Sequence, residues 1–244
     1  MKNEGQILQT SEIAWSYNKI YCEHGLRAPF GHYIYTIRRL GVNAKRKALC
    51  LDISCGEGLA LKAILQINND ALAVGLDISL EAVKKARENV SKAKLLVADG
   101  QALPFKSSYF DFVANLGSLE HYMDPDKGCK EIYRVLKPTG KTAVILPNKY
   151  SLVDILDVCK TGGSASGGFQ IIERVFTRKE AQDFLESNGL RISKVYSSNL
   201  WPEFFVEGTF KIKSIKKFIW RWFLKIFAPL NLTREFIFIC NKGD

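Results

Sequence analysis

From about residue 48 onward, short uninterrupted apolar runs alternate with stretches whose apolar residues recur at helical spacing. Ala48-Leu49-Cys50-Leu51-Asp52-Ile53 is an apolar run that ends in a turn of small residues, the pattern of a buried parallel strand. Leu59–Ile67 follows with helical spacing, and Ala71–Asp77 is a second apolar run, ending in an acid. Ser79 is suited to cap a helix that runs through Val90, with Glu81 in its first turn where the helix dipole favours an acid. Lys94–Ala98 and Phe110–Leu116 read as strands three and four, and Asp124–Leu136 as a helix closed by Pro138 and Gly140. Lys141–Leu146 is the fifth strand. Strands alternating with helices at these spacings predict a parallel sheet with helices on both faces.

The flanks read differently. Residues 10–41 hold two helix-like stretches rich in aromatics (Trp15, Tyr17, Tyr21, Phe30, Tyr33, Tyr35), broken at His24-Gly25, with Pro29 tolerable near the start of the second. Beyond the fifth strand, Thr161–Phe169 has the composition of a mobile loop. Thr177 and Glu180 form a Thr-x-x-Glu capping box for a helix that ends at Asn188-Gly189. Leu190–Ser197 and Glu235–Asn241 are the last two strands expected.

Composition narrows the class. A hydrophobic share of 47% over 244 residues describes one globular domain with a sizeable core, and excludes large-scale disorder. None of the six cysteines forms a Cys-x-x-Cys pair and no histidine cluster accompanies them, so no metal site is expected. Cys50 and Cys240 lie in strand-like runs and read as small core residues. The opening residues lack the apolar stretch of a signal peptide, and no segment approaches about 18 uncharged apolar residues. A reduced, cytoplasmic protein is therefore expected. The net charge of +10 is concentrated: Gly208–Arg234 holds seven basic residues and no acid, leaving +3 elsewhere (10 − 7).

The densest chemical signal is Leu51-Asp52-Ile53-Ser54-Cys55-Gly56-Glu57-Gly58. A strand entering a small-residue turn and then a helix exposes backbone N–H groups at the carboxyl edge of the sheet, where a nucleotide-like ligand can approach closely. It is not the dehydrogenase G-x-G-x-x-G, because glycine occupies only positions 56 and 58. Strand two ends in Asp77, a carboxylate placed to grip ribose hydroxyls, and strand three in Ala98-Asp99-Gly100-Gln101. Strand four leads through Asn115 to Leu119-Glu120-His121. Acids at the ends of the first three strands converge on one edge.

With these motifs in this order, residues 48 to 147 resemble the class I S-adenosylmethionine-dependent methyltransferases, most of all the small-molecule branch that includes quinone- and sterol-biosynthesis enzymes. The resemblance implies a doubly wound, Rossmann-like sheet of seven strands, mostly parallel with an antiparallel last strand. It divides the single domain into an N-terminal helical cap (1–45), a cofactor-binding core (46–147) and a substrate-side half (148–244) with a basic amphipathic insertion at 208–234. It implies that Asp52 and the turn Ser54, Cys55, Gly56 to Gly58 hold the methionine end of S-adenosyl-L-methionine. Asp77 would take the ribose hydroxyls, Ile78 would pack on the adenine, and Asp99 with Gly100 or Gln101 would meet the adenine amino group. Asn115 would meet the methionine amino group through its carbonyl. Ser54 departs from the family, which usually has glycine there; its Cβ resists a positive φ.

His121 has two readings, a near-neutral general base or a residue that merely lines the substrate pocket. Glu57 reads as a first-turn acid favoured by the helix dipole rather than a catalyst. Tyr17, Tyr21, His24 and His32 belong to the cap. Within Phe210–Phe227, Ile212, Ile215, Phe218, Ile219, Trp222, Phe223 and Ile226 form one helical stripe, with Lys213, Lys217, Arg221 and Lys225 largely opposite. Such a helix can lie peripherally on a membrane's inner face, pack on the protein's own core, or meet a second copy in a homodimer. Nucleic acid is the less favoured partner, because the aromatics sit on the stripe that reads as buried. The expected function is methyl transfer to a small-molecule or lipid-like acceptor. An RNA methyltransferase and a non-catalytic cofactor-binding or scaffolding subunit are the alternatives.

Overall fold

The computed structural model describes residues 10–23, 25, 28–43, 47–163, 172–198 and 229–243. The sequence's amphipathic stretch 210–227, most of its Gly/Ser-rich loop, and His24 lie outside the described residues.

Helices α1 (Thr10–Glu23) and α2 (Phe30–Leu40) precede the sheet. There follow β1 (Leu49–Ile53), α3 (Leu59–Ile67), β2 (Leu72–Asp77), α4 (Leu80–Asn89), β3 (Lys94–Val97) and β4 (Phe110–Leu116). After a 3-10 turn, Leu119–His121, come α5 (Pro125–Val135), β5 (Leu136–Pro147), α6 (Leu152–Thr161), α7 (Arg178–Ser187), β6 (Leu190–Ser198), a short 3-10 segment (Leu230–Leu232) and β7 (Glu235–Lys242). The seven strands lie in the order β3-β2-β1-β4-β5-β7-β6. Strands β1 to β5 pair in parallel, and β7 runs antiparallel to both β5 and β6. The order reverses between β1 and β4, which opens a crevice beyond their carboxyl ends.

Alternation along each strand divides the core in two. Leu51, Ile53, Val113, Phe236 and Phe238 face α5 and α7, meeting Ile132, Val135 and Leu185. Cys50, Ala114, Ile145, Ile237 and Ile239 face the other way, onto Ile37 and Leu40 of α2 and Leu61 and Ile64 of α3. Each fully buried Leu or Ile contributes roughly 1.5–3 kcal/mol. Cys50 and Cys240 are buried within these layers.

The expected helix ends are present in atomic detail. Ser79 accepts from Ala82 N, Asp124 from Lys127 N, and Thr177 with Glu180 forms the reciprocal capping box. Two features differ from the sequence reading. β5 begins at Leu136, so Pro138 and Gly140 lie inside a strand; a register shift opposite Phe110–Phe112 absorbs them. And α6 fills a stretch that the sequence reading left unassigned: Leu152, Ile155, Leu156 and Cys159 recur at helical spacing and Ser151 caps the helix by accepting from Asp154 N, although it buries no residue. None of the described helices is long and apolar enough to cross a membrane.

Candidate functional site

The turn after β1 is wound tightly. Ser54, Gly56 and Gly58 all have positive φ (59°, 51° and 78°). Cys55 N donates to Leu76 O at 2.8 Å, and Gly56 N to Asp77 Oδ2 at 2.9 Å, so the turn is laced to the end of β2. Ser54 adopts the left-handed conformation that its Cβ disfavours, and its Oγ lies 3.0 Å from Tyr122 Oη. Gly58 does not line the cavity; a Cβ there would come within 3.1 Å of Ala86 Cβ, so its absence lets α3 start against α4.

Asp77 is anchored twice, accepting from Gly56 N and from Ser79 N at 2.9 Å each. A carboxylate has about four lone-pair sites, so two hydroxyls can still bind. Burial pushes its pKa up to about 6, against backbone N–H bonds that pull it down. Asp52 is only 3% exposed, and burial, then the Asp77 charge, hold its carboxyl well above the usual range. Asp99 accepts from Gln101 N (2.8 Å) and Gln101 Nε2 (3.0 Å), while Gln101 Oε1 accepts from Asp124 N, tying the end of β3 to the start of α5.

Asn115 is fully buried and stands apart from the cavity wall. Its Oδ1 accepts from Leu119 N and its Nδ2 donates to Tyr122 Oη, both at 3.1 Å. Its side chain is spent on shaping the turn that follows β4. Tyr122 is seated in space that two glycines leave open: a Cβ on Gly100 would lie 2.1 Å from its Oη, and one on Gly128 2.4 Å from its Cδ2.

These elements enclose a cavity of about 330 Å³ beyond the carboxyl ends of the strands. Asp52, Ser54, Cys55, Gly56, Asp77, Ile78, Asp99, Gly100, Gln101 and His121 line it; of the residues singled out in the sequence, Asn115 and Gly58 do not. Ile13, Tyr17 and Tyr21 of α1 and His32 and Tyr33 of α2 cover it. α1 is held there by Asn18 Oδ1, which accepts from Ser79 Oγ at 2.8 Å, and by Lys85 Nζ donating to Tyr21 O. Burial lowers His32 to about 4, so it is neutral near pH 7.

At one end of the cavity stand two residues of the 3-10 turn. His121 Nδ1 is 2.6 Å from Ile172 O, which favours the tautomer with a proton there and the lone pair on Nε2. Burial lowers its pKa, which the bond to Ile172 opposes. Nε2 lies 3.6 Å from Glu120 Oε1. Glu120 is 5% exposed, and burial first, with the charges of Glu235 and Glu173, pushes its pKa up to about 8. Arg174 fastens the strip after residue 171 to this turn, donating to the carbonyls of Glu120, Tyr122 and Met123. The sequence reading passes over Glu120, Tyr122, Arg174 and Glu235. Glu120 and Tyr122 carry a signal only as the neighbours of His121; Arg174 and Glu235 reach the site from distant parts of the chain.

A doubly wound sheet with an acid-lined crevice at its switch point and a Gly-rich turn on β1 defines a nucleotide-type binding protein. Residues 51–144 match the family model for a methyltransferase domain. An uncharacterized Methanocaldococcus jannaschii protein, MJ0638, is 31% identical over 203 residues, covering 82% of this chain and 76% of its own length. The chloroplastic 2-methyl-6-phytyl-1,4-hydroquinone methyltransferase of Spinacia oleracea is 28% identical over 147 residues, 58% of this chain but 43% of that enzyme. Among solved structures, an S-adenosylmethionine-dependent methyltransferase of Thermotoga maritima superposes with a TM-score of 0.62 at 18% identity, covering 93% of this chain and 94% of that one. The [4+2]-cyclase SpnF superposes at 0.68 and 16% identity, covering 97% of each chain. Residues 51–144 belong to the methyltransferase-domain family, carried on a class I Rossmann-like fold, and that membership implies S-adenosylmethionine as the cofactor. The residues present fit that group: a buried Asp52 carboxyl lines the cavity, where a cationic ligand would draw it to its charged form, and Asp77 retains acceptor sites for a pair of hydroxyls.

Proposed function

We propose that the protein catalyses methyl transfer to a small-molecule acceptor with an apolar or lipid-like body, with the acceptor bound between the cap helices and the 3-10 turn. The observation that carries this is that the cofactor turn and His121 open into one cavity, with Nδ1 of His121 committed to Ile172 O and Nε2 left to act. Bound S-adenosylmethionine supplies a methyl group on a positively charged sulfur, so most of the rate comes from alignment.

The chain's own residues divide the work. Asp77 takes the ribose hydroxyls, Asp52 and the Ser54–Gly56 turn the methionine end, and Ile78, Asp99 and Gln101 the adenine. Ile13, Tyr17 and Tyr33 exclude water above the acceptor. Neutral His121 takes the acceptor's proton at Nε2. A nucleic-acid acceptor is disfavoured because no Lys or Arg lines the cavity among the described residues. The hydroquinone-methylating relative and the basic stripe of residues 210–227 together support an acceptor with lipid character, presented at a membrane surface.

The test is incubation with methyl-labelled S-adenosylmethionine and a cell extract partitioned into organic-soluble, aqueous small-molecule and RNA fractions. Label in a small molecule, reduced about 100-fold or more by His121→Gln with unchanged cofactor affinity, is expected. Label confined to RNA would reverse the acceptor class.

A further inference from the structure

The cavity is lined by acids although the chain is basic. Seven of its lining residues are carboxylic acids and, among the described residues, none is Lys or Arg, although the sequence carries a formal +10. Asp52, Glu57, Asp77 and Asp99 belong to the turn and strand ends assigned above to the cofactor. Glu120, Glu173 and Glu235 do not. They come from the 3-10 turn, the strip before α7 and the first residue of β7.

Glu120 separates this group from an ordinary acidic rim. It is 5% exposed, and its Oε2 has no hydrogen-bond partner. Arg174, the guanidinium beside it, is committed to main-chain carbonyls. A carboxyl desolvated this far without a donor is costly, and the cost falls when a ligand brings a cation or a donor. Tyr17 lines the same cavity, near enough that the Glu120 charge helps raise its phenol pKa. Glu120 is protonated while the site is empty and gives up that proton when an ammonium enters; an aromatic ring beside the resulting carboxylate is a setting that recognises ammonium groups.

We infer that the acceptor is a protonated amine on an apolar or aromatic body, its ammonium held by Glu120, with Glu235 and Glu173 adding negative charge. This rests on the methyl-transfer reading and names the acceptor class for it. A carboxylate or phosphate would enter against three acids. A neutral hydroxyl could satisfy Glu120 Oε2 but would leave the other two charges uncompensated. Before transfer the amine must lose a proton, and neutral His121, with Nε2 beside Glu120, is the group that accepts it.

The test is calorimetric titration of the protein loaded with S-adenosylhomocysteine, using 2-phenylethylamine, 2-phenylethanol and phenylacetate as probes. The amine is expected to bind at least about tenfold tighter than the alcohol, with phenylacetate weakest. Glu120→Gln should erase that preference, and Glu235→Gln, at the more accessible end of β7, should reduce it even if the buried Glu120 variant does not fold. Equal binding of alcohol and amine, no binding of the amine, or a preference that survives in every folded variant would overturn the inference. Failure of S-adenosylhomocysteine itself to bind would remove the methyltransferase reading beneath it; binding without an amine preference would remove only the acceptor class.

Discussion

Ser54 Oγ lies 3.0 Å from Tyr122 Oη, joining the turn after β1 to the turn after β4 across the mouth of the crevice. The bond explains how a serine serves where the family usually has glycine. A left-handed φ costs a residue with a Cβ roughly 1–2 kcal/mol, and a hydrogen bond returns roughly 0.5–1.5 kcal/mol. Ser54→Gly should therefore change stability by less than about 1 kcal/mol, whereas Tyr122→Phe also deprives buried Asn115 Nδ2 of its acceptor and should cost about 1–3 kcal/mol. Denaturant melts of both variants check this, and a larger loss in Ser54→Gly than in Tyr122→Phe would contradict it.

Two glycines make an opposed pair. Gly100→Ala would drive a methyl group to 2.1 Å from Tyr122 Oη and 2.9 Å from Ile53 Cγ2, which should destabilise the fold by about 1–3 kcal/mol and weaken cofactor binding. Gly31→Ala adds a methyl in α2 with nothing within 4 Å, and should stabilise by roughly 0.5–1 kcal/mol. Thermal melting of the two proteins should move in opposite directions.

Stability should depend on pH through Glu120. Its folded pKa of about 8 exceeds the usual 4.5, so the folded state holds an extra proton between those values. The stabilisation is complete below pH 4.5 and is lost as pH rises towards and through 8. Glu120→Gln removes that loss, so the variant should gain on the wild type with rising pH in ligand-free melts. A constant difference from pH 5 to pH 9 would count against a buried, neutral Glu120.

His32 sets the opposite limb. Its folded pKa of about 4 lies below the usual 6.5, so its contribution is present above pH 6.5 and is lost as pH falls towards and through 4. Replacing it with Gln should flatten the melting profile in that acid window. An unchanged acid limb would mean that His32 is solvated.

The core of the fold is legible because its signals are local. The acid-ended apolar runs at Asp52 and Asp77, the Ser79 cap and the Thr177–Glu180 box each state their structure within a few residues. What is not legible is what distance brings together. Asn115 sits at the end of β4, where sequence position points to the cofactor, yet Tyr122 and Leu119 N take its side chain. Glu235 reaches the cavity only because β7 inserts between β5 and β6. β5 extends back through Pro138 and Gly140 because its pairing with β4 shifts register, which no residue type announces.

The most direct test of the central claim is calorimetric titration of the protein with S-adenosylmethionine, alongside Asp77→Asn. One saturable site is expected in the wild type, and at least about tenfold weaker binding in a variant that keeps its fold. No binding to the wild-type protein, or equal binding by the variant, would contradict the assignment of this cavity to the cofactor.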